Sequence, residues 1–166
     1  MTWLNAEESS APFDAALALR PELRDLYAAF YGKLWDDDLL PAGLLELCRL
    51  RVAQLHDCEA ELAVRHAEAG VSDEQVEALA NWSESELFGV AERAALALAE
   101  KMPWQHHDLT DGEYAALQAH FGEAGVVALT IGIALFDANC RLRLAFGTEP
   151  APVEAAMPAS SEGPIY

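Results

Sequence analysis

Apolar residues recur three and four apart along most of the chain, and no stretch keeps the period of two that a strand requires. Pro21 is well placed as a first helical residue, and Leu23, Leu26, Tyr27, Phe30 and Leu34 follow it on one stripe. Asp36-Asp37-Asp38 breaks the stripe. Pro41 opens the next helix, with Leu44, Leu47, Leu50 and Leu55. At the His56-Asp57 junction Asp57 is expected to cap a helix that starts at Cys58 and ends at Gly70, a residue suited to a left-handed C-cap. Three side-chain pairs of the capping-box type follow: Ser72 with Gln75, Ser83 with Glu86 and Thr110 with Glu113. They predict helices near 73–81, 86–102 and 111–121, the last two closed by Pro103 and Gly122. A final helix over about 123–146 contains VVALTIGIALF and is apolar on most sides, which predicts the central core helix. The fold class is therefore all-α. One domain is expected over 1–147, followed over 148–166 by a Pro-rich tail or arm without regular structure.

Composition narrows the partners. Lys plus Arg number 10 against 28 Asp plus Glu, a formal charge of −18, and such a surface repels nucleic acid and anionic membranes. The plainer reading of the acid excess is solubility. Three cysteines, at 48, 58 and 140, share no regular spacing and argue against a secreted disulfide framework. MTWLNAEESS has neither a basic leader nor an apolar core, so no signal peptide is expected. The apolar run from Ala124 to Phe136 is shorter than the roughly 20 residues that span a bilayer. These readings together predict a cytoplasmic protein. His106-His107-Asp108 lacks spaced partners and reads as polar linker rather than metal site.

Chemistry concentrates in ELCRLRVAQLHDCEAELAVRHAEAG, residues 46–70. Over roughly residues 13–147 the chain resembles the alkylhydroperoxidase D-like and carboxymuconolactone decarboxylase family. The resemblance is carried by LRPELRDLYAAFY, LLELCRLRVAQLHDC, AGVSDEQVEALANWSESELFGVAERAALALAE and LTIGIALFDANCRLRLAFG. The second and fourth segments are the more specific. The resemblance implies an all-α domain of about six to seven helices, no metal or organic cofactor, and assembly into a homo-oligomer, a trimer or hexamer. In the peroxidase branch the site reads Glu, eleven residues, then Cys-x-x-Cys-x-x-x-His. Glu46 takes the acid's place and Cys58 that of the first cysteine. Glu61 stands where the peroxide-attacking second cysteine belongs, and Arg65 where the relay histidine belongs, with His66 directly after it. The decarboxylase branch lacks the dithiol and often carries Glu here with His four residues on; Glu61 fits the first and Arg65 departs from the second.

The residues themselves leave alternatives open. Cys58 at a helix start is either a reactive thiolate or a small buried filler, and Asp57 and Glu59 beside it oppose the thiolate. Glu46 is either a proton relay or the partner of Arg49 or Arg51. Glu61 and Arg65, spaced i and i+4, are expected to form a helical ion pair that keeps the carboxylate charged. His66 lies some 100° around that helix from position 65. His56 could meet the thiol from the loop before it, and Asp137, Asn139 and Arg141 either line a site or serve subunit contacts. The activity implied by resemblance is thiol-dependent reduction of a small peroxide, weakened or lost, with Cys58 as thiol, Glu46 as relay and His56 or His66 as auxiliary. The alternatives are cofactor-free acid–base catalysis on a small lactone or keto acid, with Glu46 and Glu61 moving protons and Arg65 binding the carboxylate, and a non-catalytic scaffold or ligand binder.

Overall fold

The computed structural model describes residues 12–36 and 39–148; the tail beyond Thr148 lies outside the described residues. Among those described there are helices and turns but no strand. The α-helices are α1 (Pro12–Leu17), α2 (Pro21–Trp35), α3 (Ala42–Leu55), α4 (Glu59–Leu62), α5 (Asp73–Ala78), α6 (Val90–Lys101) and α7 (Asp111–Phe146). Short 3₁₀ turns stand at Ala67–Ala69, Leu79–Asn81 and His106–Asp108.

The centre of the fold is α3, not the last helix. Every residue from Leu44 to Leu50 is buried, as are Val52 and Ala53, because α6 and α7 both pack on α3 as well as on each other. The part of α7 after Gly122 buries one stripe, Val126, Leu129, Ile133, Phe136 and Cys140, and turns Val127 and Ile131 outward. By length and composition alone α7 could cross a bilayer, although the Ala124–Phe136 run read as too short. Here its apolar stripe packs on α3 and α6 as a core helix does. A smaller apolar cluster of Leu47, Leu50, Leu79, Phe88 and Leu96 joins α3 to α6 and the 79–88 segment.

Two of the three expected capping boxes form. The Ser72 hydroxyl accepts from the Gln75 N–H, and the Thr110 hydroxyl from the Glu113 N–H, with the reciprocal bonds present. The Ser83–Glu86 box does not form: α6 begins at Val90, where the Glu92 carboxylate accepts from the Gly89 N–H at 2.7 Å. The cause is Arg93, whose guanidinium donates to the carbonyls of Trp82, Ser83, Ser85 and Phe88 and holds that segment as turns. At Gly122 φ is 65° and ψ 175°, so the helices expected over 111–121 and 123–146 do meet at a break. Gly147, at φ 62°, supplies the left-handed C-cap.

The helix expected from Cys58 to Gly70 is the largest departure. Only the four residues of α4 are α-helical, followed after an irregular stretch by the 67–69 turn that Gly70 closes at φ 73°. Arg49 explains the break. Its Nη1 donates to the Glu61 carbonyl at 2.7 Å and its Nη2 to the Val64 carbonyl at 2.5 Å. Both oxygens are thereby taken from the N–H groups that would continue the helix. Asp57 does not cap α4; it sits in the left-handed region at φ 51°, and Cys58 is the N-cap residue without a side-chain capping bond.

Candidate active site

A buried ion network lies where the sequence places its chemistry. From α3, Arg49 forms a bidentate pair with Glu46, Nε to Oε2 at 2.8 Å and Nη2 to Oε1 at 2.9 Å. The i, i+3 spacing on one helix puts them side by side. Arg49 also reaches Glu61 on α4 at 3.0 Å, and Arg143 from α7 donates through Nε to the other Glu61 oxygen at 2.5 Å. Glu46 and Arg49 are essentially without solvent exposure, and Glu61 is buried. Burial pushes the Glu46 carboxyl up, but the hydrogen bond and charge of Arg49 outweigh it, helped by the N–H of His66 at 3.1 Å, and the net shift is downward. The guanidinium of Arg49 is shifted upward, burial being overcome by Glu46 and Glu61. Glu46 is thus a fixed anion, ill suited to accept and return a proton near neutrality. Arg51, its other candidate partner, pairs with Glu100 instead.

The expected Glu61–Arg65 pair is absent because residues 63–66 are not helical. Arg65 turns to Asp73 at 3.3 Å and the Val71 carbonyl at 3.1 Å, with its Nε 3.9 Å from Glu46. The same irregular backbone brings His66, not Arg65, into a cleft of about 280 Å³ between α1, α2, α4 and α7. Its polar lining is Tyr27, Tyr31, Glu61, His66, Asn139 and Arg143, with Asp14 and Arg24 also facing it; Phe13, Leu17, Ala28 and Val64 supply apolar wall. The His66 ring stacks on Trp35 with centroids 4.2 Å apart. The Tyr27 hydroxyl is hydrogen-bonded to Asn139 Oδ1, and burial pushes its pKa up to about 12, so it stays a donor. Arg143 lies over the Phe13 ring at 4.2 Å. Glu61 occupies its Nε, and no described residue takes its two Nη groups. A groove of about 370 Å³ beside α3 and α6 has Glu92 as its lone ionisable lining residue, and one of about 130 Å³ beside α2 has Lys33.

Cys58 does not line the cleft. It is fully buried in the main core cluster, three residues before Glu61, and shares that cluster with Cys140 of α7. The neighbouring Cys58 thiol and burial shift Cys140 far upward, with Glu61 and Asp137 adding to the effect. His56, expected near the thiol, gives its Nε2 to Asp137 Oδ1 at 2.6 Å and packs against Trp104. Asp137 in turn takes Arg141 at 2.9 Å. The 106–108 turn is exposed, with His107 3.6 Å from Asp108. Among the described residues no group of three or more His, Cys, Asp or Glu side chains converges as metal ligands would. Sequence reasoning missed Arg143, Tyr27 and Cys140 as site members. The available signal was Arg143 one turn after Asn139 near the end of a largely apolar helix, where a partly buried cation needs a carboxylate.

Residues 21–101 match the sequence profile of the carboxymuconolactone decarboxylase family. Among solved structures, one of a protein of unknown function from Agrobacterium tumefaciens, described as a proposed antioxidant defence protein AhpD, superposes with a TM-score of 0.74 at 19% identity. The match covers 91% of this chain and 99% of that one. At that identity the likeness is one of fold, the all-α arrangement. No curated protein sequence matches the chain.

Proposed function

From the match of residues 21–101 to the carboxymuconolactone decarboxylase family, we propose that the site is the cleft between α1, α2, α4 and α7 and that side chains alone perform acid–base chemistry there. The substrate class is a small carboxylated lactone or keto acid. The observation that carries this reading is that Glu61 and His66 line one cleft together with Arg143 and Tyr27, whereas Cys58 does not reach it. Arg143 offers its Nη fork to the substrate carboxylate, and the Tyr27 hydroxyl, its proton given to Asn139 Oδ1, presents a lone pair to a substrate hydroxyl. Glu61, clamped by Arg49 and Arg143, keeps its charge and holds the Arg143 plane in place. His66 moves the proton, being an imidazole in the cleft with no ring hydrogen bond to a described residue. In a decarboxylation the bond to the carboxylate carbon breaks and carbon dioxide leaves. The electron pair passes into the adjoining carbonyl as an enolate, and protonated His66 delivers a proton to carbon and regains one from water.

Thiol-dependent hydroperoxide reduction is a second reading, favoured by Cys58 and Cys140 sharing the main core cluster, each within three residues of a cleft residue, Glu61 and Asn139 respectively. One experiment separates the two. Wild type, His66→Gln and Cys58→Ser are assayed for carbon dioxide release from a panel of carboxylated lactones and keto acids, and for hydroperoxide consumption with a dithiol reductant. The acid–base reading expects turnover on the first panel that falls by about 10²-fold or more in His66→Gln and persists in Cys58→Ser. Hydroperoxide turnover lost in Cys58→Ser and kept in His66→Gln supports the second reading and overturns the first. Inertness toward both panels overturns both.

A further inference from the structure

Decarboxylation in the cleft leaves one charge without a holder, that of the enolate oxygen. We propose that the Tyr31 hydroxyl donates to that oxygen, an assignment that rests on the acid–base reading of the cleft. Tyr27, Tyr31 and Trp35 stand four residues apart on α2, so one helix face carries three polar-tipped rings in a row. Tyr27 and Tyr31 line the cleft, and Trp35 is one turn further on, outside its lining. Ring contacts fix Tyr31. It stacks on Tyr27 with centroids 5.9 Å apart and planes at 20°, and meets the buried Phe136 of α7 edge-on at 6.3 Å and 79°. Trp35 is tilted against it at 6.1 Å and is itself held by its stack on His66 at 4.2 Å. Aromatic packing thus sets the position of the hydroxyl before any substrate arrives, as a preorganised donor requires.

The two tyrosines differ in where the hydroxyl proton goes. That of Tyr27 goes to Asn139 Oδ1, whereas no acceptor among the described residues takes that of Tyr31. Trp35 supplies a separate observation. Its Nε1 is buried without a hydrogen bond of ordinary geometry, although a buried indole N–H normally finds an acceptor. It bears on the Tyr31 oxygen as a donor, which strengthens the Tyr31 O–H as a donor in turn and leaves its proton for the cleft. Burial and the charge of Glu61 outweigh Arg49 and Trp35 and keep the phenol protonated near neutrality. Tyr31 therefore gives a hydrogen bond and keeps its proton. As carbon dioxide leaves and the electron pair moves onto the carbonyl oxygen, that hydrogen bond passes from a neutral acceptor to an anionic one, the stronger kind. The gain arises in the transition state, so the hydroxyl acts on kcat more than on KM. His66 remains the donor to carbon.

The test uses the full chain and two probes. Malonate carries a second carboxylate where a keto acid would carry its enolate oxygen, and acetate offers Arg143 one carboxylate and Tyr31 no further oxygen. Binding is followed at fixed pH by the nuclear magnetic resonance shifts of the His66 ring, in wild type and in Tyr31→Phe, which keeps the ring and its contacts. The expected result in Tyr31→Phe is malonate affinity lower by about 10-fold or more, with acetate affinity within about twofold of wild type. On a carboxylated lactone or keto acid that wild type turns over, kcat should fall by a similar factor while KM changes little. Equal malonate affinity in the two proteins overturns the proposal and leaves the acid–base reading standing. Loss of both probes in Tyr31→Phe also overturns it, since the hydroxyl would then act through the fold and not on the second oxygen. If wild type binds neither probe, the cleft takes no carboxylate, and the proposal falls together with the reading beneath it.

Discussion

Replacing Arg49 by Leu should be among the most damaging single changes in the described structure. The substitution removes a guanidinium that is 1% exposed and leaves Glu46, at 0%, without its bidentate partner. Breaking a buried pair from one side costs about 3–5 kcal/mol, since the remaining charge has neither water nor a counterion. Two features place this case near the lower end, at about 3 kcal/mol. Glu61 keeps Arg143, and Glu46 keeps the His66 N–H together with the half-buried Arg65 at 3.9 Å. The pH dependence is more diagnostic than the size. In wild type the folded pKa of Glu46 lies below its ordinary 4.5, so its contribution is fully present above that value and is lost as pH falls through the lower folded pKa. In the variant, burial outweighs the His66 N–H and the more distant Arg65 and lifts the folded pKa above the unfolded one. Its stability should then decline as pH rises from about 5 to about 7, where this group leaves wild type flat. Urea unfolding followed by circular dichroism at several pH values measures both effects. A loss below about 1 kcal/mol, or a pH slope equal to that of wild type, refutes the account of this network.

Thr110→Ala removes the hydroxyl that accepts from Glu113 N–H at 3.3 Å and should cost about 1 kcal/mol in the same unfolding assay. Gly43→Ala places a Cβ 2.9 Å from the Ala69 carbonyl oxygen. Because that oxygen is backbone, the 67–69 turn must shift, at about 1–3 kcal/mol and with a weakened cleft near His66, read by unfolding and by substrate KM. We further propose that the exposed apolar side chains Leu23, Leu26 and Phe30 of α2, continuous through a shallow groove with Ile131 of α7, are covered by another copy of this chain. Light scattering should then give a multiple of 18.0 kDa for wild type and a smaller assembly for Leu26→Glu; a wild-type monomer at micromolar concentration refutes it.

What could be read from the sequence follows locality. The stripe from Leu23 to Leu34, the boxes at Ser72 and Thr110, and the glycines at 70, 122 and 147 act within one or two turns of chain, and they appear where expected. The failures share a different cause. Arg93 and Arg49 each spend one guanidinium on several backbone carbonyls, and these captures, not helix propensity, decide where α4 and the 82–88 segment lose regularity. A sequence window around Ser83 or Glu61 contains no sign of them. The site followed the same division. The Glu46–Arg49 pair is a local i, i+3 contact and was among the readings open from the start. Arg143 over Glu61 and Cys140 against Cys58 join residues 82 positions apart, and both depend on how α7 lies on α3.

Charge placement bears on which substrate the cleft takes. The chain has 10 Lys plus Arg against 28 Asp plus Glu, yet Arg49, Arg65 and Arg143 gather around just two buried acids, Glu46 and Glu61. Asp73, which also meets Arg65, is exposed and screened by water. An anion is therefore attracted at contact distance by the Arg143 fork but repelled at longer range by a chain of formal charge −18. The two effects respond differently to salt. Long-range repulsion fades once the Debye length falls to about 10 Å, near 0.1 M ionic strength, while a partly buried contact is screened much less. For a carboxylated substrate, kcat/KM should consequently rise as salt increases from about 10 to about 150 mM, with kcat nearly constant. A neutral hydroperoxide feels neither force and should show a flat profile. A kcat/KM that falls with salt for the carboxylated substrate would mean that local attraction dominates the encounter as well, contrary to the charge balance argued here.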